Sequence, residues 1–146
     1  MVSLNVTIDT SGLNLMGKLE NLPRNLTNNL STDVKKTMQK NTPKDKGTAK
    51  SNWTINQTSD TIHEVVNNTR YLPWVNDGTG LYGPRHRRIT PRHARVLHFT
   101  WKGKEWFLKS VRGQKGQKFV EKSMNETKNR INNIVVKTLN ETIRGW

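Results

Sequence analysis

SNWTINQTSDTIHEVVNNT, residues 51–69, decides between an all-helical chain and a mixed one. Trp53 and Ile55 share a face of residues 51–58. Ile62, Glu64 and Val66 share a face of residues 61–69. Such period-two spacing marks strands. Ser59-Asp60 between the two runs predicts a tight turn, so the stretch reads as an antiparallel hairpin. The alternation in the second run is imperfect, because a carboxylate shares its face with two aliphatic residues.

Upstream, Leu15, Leu19, Leu22, Leu26, Leu30, Val34 and Met38 step by four and three, which places one apolar stripe along a helix. Pro23 interrupts it, because an interior proline removes a hydrogen bond and clashes with the preceding turn. A short helix over 12–21 and a longer one over 23–41 are expected, with a single kinked helix as the alternative. The polar loop from Asn41 to Gly47 ends the run. Val2, Leu4, Val6 and Ile8 alternate with polar residues and predict a strand over 2–9.

Downstream, Tyr71-Leu72-Pro73-Trp74-Val75 is a short apolar patch. LYGPRHRRITPRHA, residues 81–94, shows neither period and reads as a long basic loop. Leu97, Phe99 and Trp101 share a face that should point into the core. Lys102-Gly103 suits a two-residue hairpin turn into a partner strand over 104–111. Arg112-Gly113-Gln114-Lys115-Gly116 reads as a flexible basic connection. Val120, Met124, Ile131, Val135, Leu139 and Ile143 then mark a C-terminal helix over 117–144. The whole is expected to be one α+β domain over residues 1–146, β-rich between 51 and 111. Its antiparallel sheet of about four to five strands would be packed by an N-terminal kinked helix pair and the long C-terminal helix.

Hydrophobic residues make up 32% of the 146, against a usual share of roughly 45–50%. There is no cysteine, which excludes disulfides and thiolate metal sites. No secretion signal is legible and no apolar run approaches the ~20 residues a bilayer span needs. The expected compartment is therefore the cytosol, with no membrane partner. The many Asn-x-Ser/Thr sequons, at Asn25, Asn29 and Asn67 among others, read as a by-product of an Asn/Thr-rich composition.

The formal charge is +14, and residues 84–118 hold eleven Lys and Arg against one acid, Glu105. Such a block attracts polyanions or acidic protein surfaces. Catalytic signatures are missing: there is no phosphate loop and no His-Glu-x-x-His pair. His63, His86, His93 and His98 are scattered and lack carboxylate company, so neither a metal nor a cofactor is expected. Arg85, His86, Arg87, Arg88, His93 and Arg95 are the residues that would bind and cleave a phosphodiester, with a histidine as acid or base. That gives an alternative reading as a small RNA-cleaving or RNA/DNA-binding protein of toxin type. Aromatic residues interleaved with the basic block (Tyr82, Trp101, Trp106) suit stacking on bases, although Trp101 keeps step with Leu97 and Phe99, as a core residue would.

Three local patterns fall in one order. Pro43, Asp45, Gly47, Lys50 and Trp53 form P-x-D-x-G-x-x-K-x-x-W after an amphipathic helix. Tyr71, Val75, Asp77, Gly78 and Thr79 lie in YLPWVNDGT. Phe119 opens FVEKS at the head of the final helix. Over roughly residues 12–125 the chain resembles the gp-ten-like tail-component family of siphophages and prophages. It departs from the family pattern in three ways. Asn76 stands where an acid is usual, Gly116-Gln117-Lys118 replaces a proline-containing lead, and 81–94 is a long basic insertion.

The resemblance implies a structural virion protein of a tailed phage, assembled in the host cytoplasm, that carries no cofactor and catalyses nothing. It would form a ring, commonly hexameric, in the neck or as a tail-completion part joining head connector to tail. Its partners would be copies of itself, the connector or head-completion proteins, the tail-tube or terminator proteins, and, nonspecifically, passing DNA. Tyr82, Arg85, His86, Arg87, Arg88, Arg92, His93 and Arg95 are the expected contact residues.

Overall fold

Pro23 begins a helix rather than breaking one. In the computed structural model, which describes residues 3–13, 17–44 and 47–144, helix α1 runs Leu22–Asn41 with Pro23 in its first turn. There a missing N–H costs nothing, because the first amides of a helix have no intrahelical acceptor. The short helix expected over 12–21 is, in its described part, only the 3-10 turn Gly17–Leu19. Val2, Leu15 and Asp45 lie outside the described residues.

Strand β1 (Leu4–Asp9), β2 (Thr54–Ser59) and β3 (Ile62–Asn67) form an antiparallel sheet in the order β1–β3–β2. Leu4 faces Asn67 across one ladder, and Thr54 faces Val66 across the other. β2 starts later than expected because Thr48–Ser51 closes a single helical turn, α2, entered through Gly47 at φ 85°. The hairpin turns at Asp60-Thr61, one residue beyond Ser59-Asp60, because β2 carries a bulge between Gln57 and Ser59. A bulge adds one unpaired residue and shifts the register by one. The fully buried side chains of β3 are His63, Val65 and Asn67, the set opposite to the face of Ile62 and Glu64.

α1 packs on this sheet with one side and on α4 (Phe119–Arg144) with another. α1 is therefore the middle layer, between the sheet and α4. Leu26, Val34 and Met38 are buried along α1, and Ser31 Oγ meets His63 Nδ1 at 3.0 Å. Trp53 is 1% exposed, and its Nε1–H donates to Thr42 Oγ1 at 2.8 Å. Thr10, Thr27 and the carbonyl of Pro23 form a buried hydroxyl cluster at 2.6–3.0 Å. Asn67 donates to the Ala49 carbonyl at 2.7 Å. A chain poor in apolar residues thus fills its interior with paired Thr, Ser and Asn, since a buried polar group is tolerable once hydrogen-bonded.

The seam between α1 and α4 is joined by a row of polar contacts. Asn25, Asn29, Asp33, Thr37 and Asn41 lie four apart, on one face of α1. Asn25 donates to Thr142 at 3.1 Å, Asn29 to Thr138 at 2.8 Å and Asn41 to Ser123 at 3.0 Å. Asp33 accepts from Thr127 at 3.0 Å and from Arg130 at 2.8 and 3.3 Å. The hydrogen bond that Arg130 donates to Asp33 raises the Arg130 pKa against the opposing effect of burial, and the charges of Asp33 and Glu126 add to the rise. Burial pushes Glu126 up, but hydrogen bonds from Asn41 and Lys40 and the charges of Lys40 and Lys122 leave it lowered. Asp33→Ala is expected to cost about 1–3 kcal/mol, because it strips the acceptor from Thr127 and the fork partner from Arg130. Urea denaturation followed by circular dichroism measures this.

The apolar stripe of α4 flanks the Ser/Thr side that the seam uses, and Val120 and Leu139 within it are half-buried. Met124, Ile131, Val135, Val136 and Ile143 are all exposed.

By its contacts the chain, read from sequence as one domain, forms two compact units, Met1–Arg70 with Phe119–Trp146, and Tyr71–Lys118. The second holds its own two-stranded sheet, β4 (Leu97–Trp101) and β5 (Lys104–Leu108). The expected single sheet is therefore two sheets, of three and two strands.

Candidate functional site

The site is built in the second unit from backbone that crosses backbone. Helix α3 (Leu72–Asp77) starts with Pro73 in its first turn and leaves Trp74 60% exposed. It ends at Gly78, φ 91°. Residues 112–116, expected to be a flexible connection, are with 117 and 118 strapped along 75–81. Thr79 N–H donates to the Gln114 carbonyl at 2.9 Å, Leu81 N–H to Arg112 at 2.8 Å and Gln117 N–H to Val75 at 2.9 Å. Thr79 Oγ1 accepts from Gln114 N–H at 2.9 Å. The crossing is close enough that a Cβ on Gly113 would stand 2.1 Å from the Thr79 carbonyl oxygen. Only glycine fits such an approach.

From this clamp the basic segment leaves as the 3-10 turn Gly80–Tyr82 and passes His86, whose φ is 49°. Ile89 pairs with Val111 through two backbone hydrogen bonds, at 2.9 and 3.0 Å. Arg88 Nε donates to Ser110 Oγ at 2.9 Å. The loop is therefore held at its start and in its middle. It walls a groove of about 600 Å³, lined by Arg85, Arg87, Arg88 and Arg92, with Trp74 and the backbone of Gly80 and Gly83. Tyr82, His86, His93 and Arg95 do not line it. Tyr82 is exposed beneath Lys115 Nζ, 5.8 Å from the ring centre. His86 Nδ1 lies 3.4 Å from the Leu81 carbonyl oxygen.

The electrostatics are one-sided. Among the described residues, the contacts of this unit between basic and acidic side chains are Lys118 with Asp77, and the His98 ring with Glu105 at 3.6 Å. No carboxylate lines the groove. Guanidinium groups gathered without counter-charge repel one another, and they gain when an anion enters.

β4 and β5 stand beside this as an exposed aromatic hairpin. Its turn, Lys102-Gly103, has both φ values positive, at 51° and 74°, as a two-residue hairpin needs. Phe99 pairs with Trp106 and Leu97 with Leu108. Trp101 is 53% exposed and Phe107 60%. Here the sequence reading is corrected: the Leu97, Phe99, Trp101 face is not core, because a two-stranded sheet has no second layer to bury it. Lys102 sits 4.7 Å over the Trp101 ring and Lys104 5.1 Å over Trp106. His98 stacks on Phe107 at 4.4 Å. The Trp106 Nε1–H is shielded and has no acceptor.

The motif residues divide by role. Pro43, Gly47 and Trp53 end α1 and turn the chain into β2. Tyr71 caps α3, Val75 and Thr79 hold the strap, Asp77 accepts from Asn76 at 2.9 Å, and Phe119 is buried at the head of α4. Sequence reading missed Trp74 as a groove residue. Its only signal was a tryptophan next to a helix-starting proline in a patch too short to be core.

Among the described residues there is no cluster of His, Asp or Glu able to hold a metal ion, and no helix is long and apolar enough to cross a membrane. No family model, curated protein or solved structure matches the chain.

Proposed function

We propose that the chain is a structural virion subunit of a tailed phage, a ring-forming neck or tail-completion protein that joins head connector to tail. The observation that carries this reading is the partly exposed apolar stripe of α4 (Met124, Ile131, Val135, Ile143, with Val136), which flanks a hydrogen-bonded polar seam. A helix that buries its hydroxyls and exposes its aliphatic residues has the pattern of a subunit waiting for a neighbour. The helix has 26 residues, about 39 Å of length at 1.5 Å each. The stripe alone offers on the order of 3–6 kcal/mol of further burial, which the cost of association consumes. A second contact is therefore needed, and the exposed aromatic hairpin supplies one of different shape. Two unlike surfaces are what head-to-tail closure of a ring requires. The order of motifs along residues 12–125 supports the same reading.

Ile131→Lys with Val135→Lys is expected to weaken self-association at least tenfold. Ile131 and Val135 are 40% and 37% exposed, so the monomer should lose some stability but stay folded, and circular dichroism verifies that it does. Sedimentation over a concentration series, alone and with connector and tail-tube partners, is the measurement. A chain that stays monomeric under all these conditions ends the proposal.

The arginine groove favours a second reading, the RNA-cleaving or RNA/DNA-binding protein of toxin type. Turnover would need a histidine within reach of a phosphate held by Arg85 to Arg92. Neither His86 nor His93 lines that groove. Expression that leaves host RNA and translation intact would remove the cleaving form of this reading.

A further inference from the structure

We infer that the groove between α3 and the loop 83–92 is a binding site for the phosphodiester backbone of nucleic acid, with Arg85, Arg87, Arg88 and Arg92 as the phosphate ligands. The inference stands on the groove and is independent of ring formation.

Four arginines line one concavity of about 600 Å³ without an acidic residue among them. Arg88 is already oriented by Ser110. Among the described residues, Arg85, Arg87 and Arg92 form no ion pair. Planar guanidinium forks match the paired oxygens of a phosphate. The groove floor is partly glycine backbone, Gly80 and Gly83, which lets a phosphate approach closely.

The rim decides between a nucleic acid and an acidic protein. Trp74 lines the groove and is 60% exposed, with its indole unclaimed by any ring or cation contact among the described residues. An indole beside a row of arginines is the pairing that stacks a base while its backbone is held. The excess charge also extends beyond the groove, over Arg95, Lys102, Lys104, Lys109, Arg112 and Lys115. A long polyanion tracks such a spread, whereas an acidic peptide side chain needs only a local match.

The test is a fluorescence-anisotropy titration of the full chain with a labelled single strand and with a labelled duplex, over a range of salt. Polyglutamate serves as competitor. Binding is expected to weaken steeply with salt, as counterions are released. Arg85→Ala, Arg87→Ala and Arg92→Ala together should lower affinity at least tenfold and reduce the salt slope by about two to three units. A control removes the same charge from the other unit through Lys36→Ala, Lys122→Ala and Lys128→Ala, and should change the slope far less. Trp74→Ala should lower single-strand affinity on the order of tenfold and leave duplex affinity nearly unchanged. The inference is overturned if neither nucleic acid binds at low salt, if polyglutamate competes as well as unlabelled DNA per charge, or if the arginine and lysine triples behave alike. All six substituted cations are on exposed or groove-lining side chains, and far-ultraviolet circular dichroism verifies that each variant is folded before titration.

Discussion

Trp53→Ala is expected to destabilise the first unit by about 3–5 kcal/mol, the range for removing a large aromatic residue from a core. A domain of this size has only about 5–15 kcal/mol in all, so much of the variant should be unfolded at 37 °C. The argument is geometric. Trp53 is 1% exposed, in a chain whose other buried side chains are mostly small. No Thr or Ser neighbour can move in to fill the volume of an indole. The indole N–H also donates to Thr42 Oγ1, which in turn donates to the Met38 carbonyl at 2.5 Å and so ties off the last turn of α1. Trp53→Phe should cost less, about 1–2 kcal/mol, because the ring still fills most of the space and Thr42 keeps its own acceptor. Urea midpoints read by circular dichroism separate the two. A loss below about 1 kcal/mol for the alanine variant would contradict this account of the core.

Gly113→Ala should have an effect of similar size on the second unit. Gly113 has φ 91°, and a Cβ there meets the Thr79 oxygen at 2.1 Å and the Gly80 nitrogen at 2.8 Å. Those neighbours are backbone and have no rotamer to change. The left-handed conformation alone costs a non-glycine residue about 1–2 kcal/mol. Relieving the collision must lift residues 112–114 off 79–81, which breaks bonds worth about 0.5–1.5 kcal/mol each. The sum is roughly 3–5 kcal/mol, enough to open a unit whose only sheet is two-stranded. Hydrogen exchange should accelerate at the amides of Thr79, Leu81 and Ile89 and stay slow at those of β3. Gly103→Ala is the control. Its φ is 74°, but nothing lies within 4 Å of the new Cβ, so only the conformational cost of about 1–2 kcal/mol remains. If both variants behave alike, the close crossing does not hold the groove wall.

Much of the fold is legible in local pattern. The four-residue steps of Leu26, Leu30, Val34 and Met38 place α1, and the alternation of Leu4, Val6 and Ile8 places β1. Gly103 between two alternating runs points to the two-residue hairpin, in which Lys102 also takes a positive φ. Periodicity also finds α4 within two residues of its start. These features depend on neighbours a few residues apart, and the chain carries them wherever it folds.

What periodicity leaves open is which stripe of an element meets which neighbour. α4 has an apolar stripe and a hydroxyl stripe, and the sequence by itself favours the apolar one as the buried side. The fold buries Ser123, Thr127, Thr138 and Thr142 instead, because the polar row Asn25–Asn29–Asp33–Thr37–Asn41 on α1 satisfies each of them. Burial of a hydroxyl depends on a partner about a hundred positions away in the chain, which no window of sequence contains. The groove has the same origin. Arg85 to Arg92 read as a loop without structure until Val111, Ser110 and Gly113 arrive from the far side of the hairpin to pin it. Local chemistry determined the elements and the charge of this protein, and long-range hydrogen-bond matching decided which faces of them stay open.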